Sequence, residues 1–128
     1  MNMRHGLTWL LGLPLGANGV WMLMRPETWY YAIPGVTGTG PLNLHFIRDI
    51  GCAYLVASAG LLWMASRPRE AWPAALAGGA FLALHAFVHL WDTVAGRESS
   101  RQLLVDLPAV VLPVFLVLGL VWFARRDA

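Results

Sequence analysis

The feature that most constrains this 128-residue chain is the grouping of its apolar residues into four long blocks, separated by short polar or Pro/Gly-rich connections. A run of about 20 apolar residues is what an α-helix needs to cross the hydrocarbon core of a bilayer. Four such runs use about 80 residues. In hydrocarbon only helices and closed barrels satisfy every backbone polar group. Hydrophobic residues make up 58% of the chain and charged ones 12%, about half the charged share of a soluble domain. That composition excludes a nucleic-acid-binding module, a disordered tail and an ordinary cytosolic enzyme. The reading is an all-α integral membrane protein: an antiparallel four-transmembrane-helix bundle forming a single membrane domain over residues 1–128.

The helices are expected at about 7–24, 41–66, 72–93 and 103–124. In the first, Ala17-Asn18-Gly19 loosely resembles a signal-peptide cleavage site. The apolar run continues through Val20–Met24, however, which reads as a retained span. Residues 25–42 form the longest connection, broken by Pro26, Pro34, Gly35, Gly38 and Gly40, with Trp29, Tyr30 and Tyr31 suited to the headgroup layer. It reads equally as a lid over a site or as a plain interfacial connector. Pro41 is assigned to the first turn of the second helix, where its missing N–H costs nothing. Gly78-Gly79 and the neighbouring alanines offer a small-residue face for helix contact, within the chain or in a homo-oligomer.

All nine basic residues are arginine. Arg4, Arg67, Arg69, Arg125 and Arg126 fall on one side of the expected topology, and Arg25, Arg97 and Arg101 on the other. Five against three places both termini in the cytoplasm of a bacterial-type inner membrane, with the 25–42 connection on the periplasmic side. The single cysteine, Cys52, rules out an intramolecular disulfide and a multi-cysteine metal site.

Charged groups inside membrane helices face the bundle interior or water, so their positions carry the functional information. In the second helix His45, Arg48, Asp49 and Cys52 stand at i, i+3, i+4 and i+7, on one stripe. In the third, His85, His89 and Asp92 stand at i, i+4 and i+7, again on one stripe. Asn18 and Asp106 lie toward the same outer end of the bundle. Imidazole and carboxylate are the usual ligands of zinc, iron and manganese. The pattern therefore points to a divalent transition metal held by His45, Asp49, His85 and His89. Asp92 and Arg48 are the catalytic candidates, and Asn18 and Asp106 support the ligands. With neutral histidines, Arg48 against Asp49, Asp92 and Asp106 leaves −2, which a divalent cation cancels. HAFVH lacks the glutamate of H-E-x-x-H, so a zinc protease is not indicated. His85 and His89 share a face and cannot bracket one porphyrin, so haem is not expected.

Two functional classes stay open. One is a membrane metalloenzyme acting on a small or lipophilic substrate. The other is a non-enzymatic carrier, proton relay or accessory subunit with a metal-free polar pocket. Either has the lipid bilayer as its surroundings and no nucleic-acid partner.

Overall fold

The computed structural model describes residues 3–128, which are all-helical, with no strand among them. The elements are α1 (Met3–Met24), α2 (Pro26–Ala32), α3 (Leu44–Ser66), α4 (Pro68–Val94), α5 (Ser100–Asp106) and α6 (Leu112–Arg126). A 3-10 turn, Val36–Gly38, lies in the connection before α3, and a π turn, Leu107–Val111, joins α5 to α6. With α5 and α6 taken as one run, four helices are long and apolar enough to cross a membrane.

Local chemistry explains where these elements start and bend. Asn43, not Pro41, opens α3: its side chain accepts the Phe46 N–H at 3.0 Å, satisfying one of the free donors of the first turn. Pro41 stays outside the helix. Arg67 alone separates α3 from α4, and Pro68 takes the first position of α4, so the charged Arg67–Glu70 segment is a sharp corner and not a gap. Pro108 cannot donate to the carbonyl four residues back. The helix widens there into the π turn, closed by the Leu112 N–H on the Leu107 carbonyl.

Small residues set the packing. A Cβ on Gly19 of α1 would lie 2.8 Å from the Gly51 carbonyl oxygen of α3. The Ser58 hydroxyl of α3 donates to the Gly12 carbonyl at 2.8 Å. Between α3 and α4, a Cβ on Gly60 would lie 2.7 Å from the Ala74 carbonyl oxygen, and one on Gly78 2.8 Å from Ala57 Cα. Gly79 faces Val117 and Leu118 of α6. In the first two pairs the numbering rises in one helix as it falls in the other, and Arg125 over the Trp72 ring gives α4–α6 the same sense, so the neighbours α1–α3, α3–α4 and α4–α6 are antiparallel. The small-residue face of α4 is thus used within the chain.

Leu61, Met64, Ala71, Ala75, Leu82, Val117 and Val121 form the main core, and Met22, Tyr30 and Ile47 a second one beneath α2. α1 and α6 touch only sparingly. Their seam is closed at the end carrying the termini, where Arg4 pairs with Asp127 at 3.0 Å and lies over the Phe123 ring. The outer surface is apolar: Leu10, Val56, Leu84 and Phe115 are all about two-thirds exposed or more.

Candidate metal centre

The end of α4 sets the geometry. Gly96, in the left-handed region at φ 71°, donates its N–H to the Thr93 carbonyl at 3.1 Å, while the Arg97 N–H reaches the Asp92 carbonyl at 2.9 Å. These are the two bonds of a Schellman closure. Three residues later Ser99 caps α5, accepting the Gln102 N–H at 3.2 Å. Glu98 sits between the two stops, and the chain there doubles back so that its side chain returns toward α4.

Three acid and imidazole groups meet at that point. His89 Nδ1 lies 2.8 Å from Asp106 Oδ2 and 4.0 Å from Glu98 Oε2. One donor atom from each of His89, Glu98 and Asp106 falls within 4.8 Å of the other two. Asp106 is buried, and the side chains of His89 and Glu98 are 22% and 13% exposed. The second oxygen of Asp106 accepts from Gln102 Nε2 at 2.9 Å. Glu98 Oε2 is the one buried side-chain oxygen or nitrogen among the described residues that has no hydrogen-bond partner. Leaving a buried acceptor unpaired costs about 1–3 kcal/mol, and more for a charged group.

Aromatic packing fixes the imidazole from below. The His85 ring meets the His89 ring edge-on, centroids 4.8 Å apart, and is itself stacked on Phe81 and flanked by Tyr54. Above, the Gln102 side chain also reaches the Pro34 carbonyl at a long 3.5 Å. A Cβ on Gly35 would strike that same amide at 2.5 Å. The connection between α2 and α3 therefore touches the cluster through Gln102.

Of the sequence-predicted site residues, the structure brings together His89 and Asp106, with His85 one turn deeper against the His89 ring. Asp106, expected to support the ligands, contacts the His89 imidazole directly at 2.8 Å and also lies close enough to Glu98 to offer a donor atom itself. The remaining candidates lie elsewhere. His45 and Asp49 pair with each other at 3.3 Å on the outer face of α3, with side chains 88% and 61% exposed. Arg48 on the same face donates from Nε to the Leu23 carbonyl at the end of α1, at 3.3 Å. Asp92 is paired with Arg97 at 2.9 Å. Asn18 accepts the Trp29 indole N–H at 2.9 Å. The physical reason is that α3 is held between two neighbours through small residues on two of its sides, Gly51 and Ser58 toward α1 and Ala57 and Gly60 toward α4. The His45–Cys52 stripe is left outside.

Sequence reading missed Glu98 and Gln102, because both fall in what looks like a plain polar turn. Gly96 and Ser99, as a helix stop and a helix start three residues apart, were the signal that this turn is built. Because His45 and Asp49 are remote from the cluster, a His45→Ala/Asp49→Ala variant is expected to keep the parent's metal content and thermal midpoint. Elemental analysis and a melt in detergent check both.

No protein-family model, curated protein or solved structure matches this chain.

Proposed function

We propose that this is a four-span integral membrane protein that binds a divalent transition metal (zinc, iron or manganese) through His89, Glu98 and Asp106. Its outward surface supports the membrane placement. Phe115, Val56, Leu84 and Leu10 point away from the bundle while glycine, alanine and serine line the helix contacts. That is the distribution expected where lipid is the solvent and close backbone approach drives association. The arginine distribution supports an orientation with the termini in the cytoplasm of a bacterial-type inner membrane and the metal centre near the periplasmic surface.

The observation that carries the metal reading is the buried, unpartnered Glu98 Oε2, facing an imidazole nitrogen and a second carboxylate. Two carboxylates and a neutral imidazole make a cluster of formal charge −2, and an isolated buried charge of that size needs a counter-charge. Bonds of about 2.0–2.1 Å place tetrahedral ligand atoms about 3.3 Å apart. The two separations from His89 Nδ1, 2.8 and 4.0 Å, lie on either side of that value, and all three donor atoms fall within 4.8 Å of one another. Three protein ligands leave a fourth position for water or substrate, as in catalytic zinc sites. A metalloenzyme acting on a small or lipophilic molecule is the activity this arrangement supports.

A metal-free proton relay or accessory subunit is the second reading. It is favoured by the His89–Asp106 contact, which at 2.8 Å is already a complete hydrogen bond braced by Gln102. Titration separates the two. Chelator-stripped protein in detergent is expected to take up about one equivalent of Co²⁺, displaced by Zn²⁺, with ligand-field bands of a low-coordinate site. Absence of uptake at metal concentrations well above that of the protein removes the metal reading and leaves the relay.

A further inference from the structure

At the end of the bundle opposite the metal centre, a groove of about 480 Å³ opens between α1, the α3–α4 corner and the end of α6. Its floor is apolar, formed by Met64, Leu120 and Ala124, and its rim carries Arg4, Arg67 and Arg69. Two rim cations are matched: Arg4 by Asp127 at 3.0 Å and Arg67 by Glu70 at 3.3 Å. Arg69 is not. Its Nε donates to the Asp127 backbone carbonyl at 2.9 Å, and no carboxylate lies within ion-pair distance of it among the described residues. Arg125 and Arg126 stand beside the groove, over the Trp72 and Trp122 rings. Five guanidinium groups thus face two carboxylates, Glu70 and Asp127, at this end.

We infer that this groove is a binding site for one anionic phospholipid. The headgroup phosphate would sit at the Arg67–Arg69 rim, and an acyl chain would lie over the apolar floor. Three features fit that ligand together. The rim holds cation in excess of its carboxylates. The guanidinium fork suits phosphate oxygens. An apolar floor of Met64, Leu120 and Ala124 lies beneath that rim. Basic pockets between spanning helices on the cytoplasmic side bind acidic lipid headgroups by the same physics. The groove needs no metal, so it stands or falls separately from the centre at the other end.

Native mass spectrometry from an uncharged detergent tests it, using dioleoyl-phosphatidylglycerol and dioleoyl-phosphatidylcholine so that only the headgroup differs. A single phosphatidylglycerol adduct is expected at roughly tenfold lower lipid concentration than the phosphatidylcholine adduct. Arg67→Gln/Arg69→Gln should erase that preference, and Arg67→Lys/Arg69→Lys should largely keep it. Both pairs are surface changes, and matching helical circular dichroism confirms the fold. Millimolar inorganic phosphate should leave the lipid adduct in place. Equal adducts from the two lipids, an undiminished preference in the glutamine pair, or displacement by free phosphate would each overturn the assignment.

Discussion

Glu98→Gln is expected to weaken metal binding by about 10- to 100-fold while leaving the metal-free protein as stable as the parent or slightly more so. The bound for the loss comes from supporting residues around metal sites, whose removal alone costs that much. Glu98 as a direct ligand should cost no less. The stability gain comes from Glu98 Oε2, which is buried without a partner. An amide at that position removes one negative charge from the buried cluster and brings N–H donors toward the Asp106 carboxylate. Opposite signs in the two measurements are the informative result. A structural cluster with no metal predicts the stability gain alone, with nothing to lose in metal content. His89→Ala removes the nitrogen shared by both carboxylates and should abolish stoichiometric metal, a loss of at least about 100-fold. It should also destabilise the metal-free protein, because Asp106 is buried and loses its 2.8 Å partner. Isothermal titration of stripped protein and thermal melts with and without metal give both quantities. Undiminished metal binding by His89→Ala would falsify the assignment of this centre.

The second large effect lies in the packing. Gly78→Leu is expected to destabilise the protein by about 3 kcal/mol or to prevent accumulation of folded protein. Even the first carbon of a side chain there would lie 2.8 Å from Ala57 Cα and 3.1 Å from the Ala57 carbonyl oxygen. Both are backbone atoms, so α3 and α4 must separate to admit it. Overpacking of this kind typically costs about 1–3 kcal/mol, more where the backbone has to move. Losing the α3–α4 register also displaces Tyr54 from the His85 ring, so metal affinity should fall with stability. Gly119→Ala in α6 is the control. Nothing lies within 4 Å of a Cβ there, and alanine is the better helix residue by about 0.5–1 kcal/mol. The two changes should therefore move the denaturant midpoint in opposite directions. Equal behaviour of the two variants would mean that α3 and α4 do not pack as described.

Much of the centre could be read from residue spacing, but not its composition. His85 and His89 are four apart in an uninterrupted apolar run, so a helix puts them on one face whatever surrounds it. Asp106 was legible as a lone acid at the head of the last apolar block. Glu98 was not, because a glutamate in a polar turn is ordinarily solvated. Only the Schellman closure at Gly96 and the cap at Ser99 fold it back over His89. His45 and Asp49 misled for the converse reason. They form a regular stripe, and charged groups are expected to avoid lipid. Yet they stand in the first two turns of α3, where side chains can reach the headgroup layer, and they satisfy each other at 3.3 Å.

What the sequence determined by itself is the number and length of the apolar helices. Each one satisfies its own backbone hydrogen bonds, and the length of an apolar block is written in consecutive residues. What only the tertiary structure decided is which face of each helix turns inward. α3 carries the polar His45–Cys52 stripe and, on two other sides, small residues that meet its neighbours: Gly51 and Ser58 against α1, Ala57 and Gly60 against α4. Between apolar helices the closest backbone approach wins, since van der Waals contact is the attraction left once the surroundings are as apolar as the helices. That choice sends His45 and Asp49 outward and leaves His89, Asp106 and the returning Glu98 to form the centre.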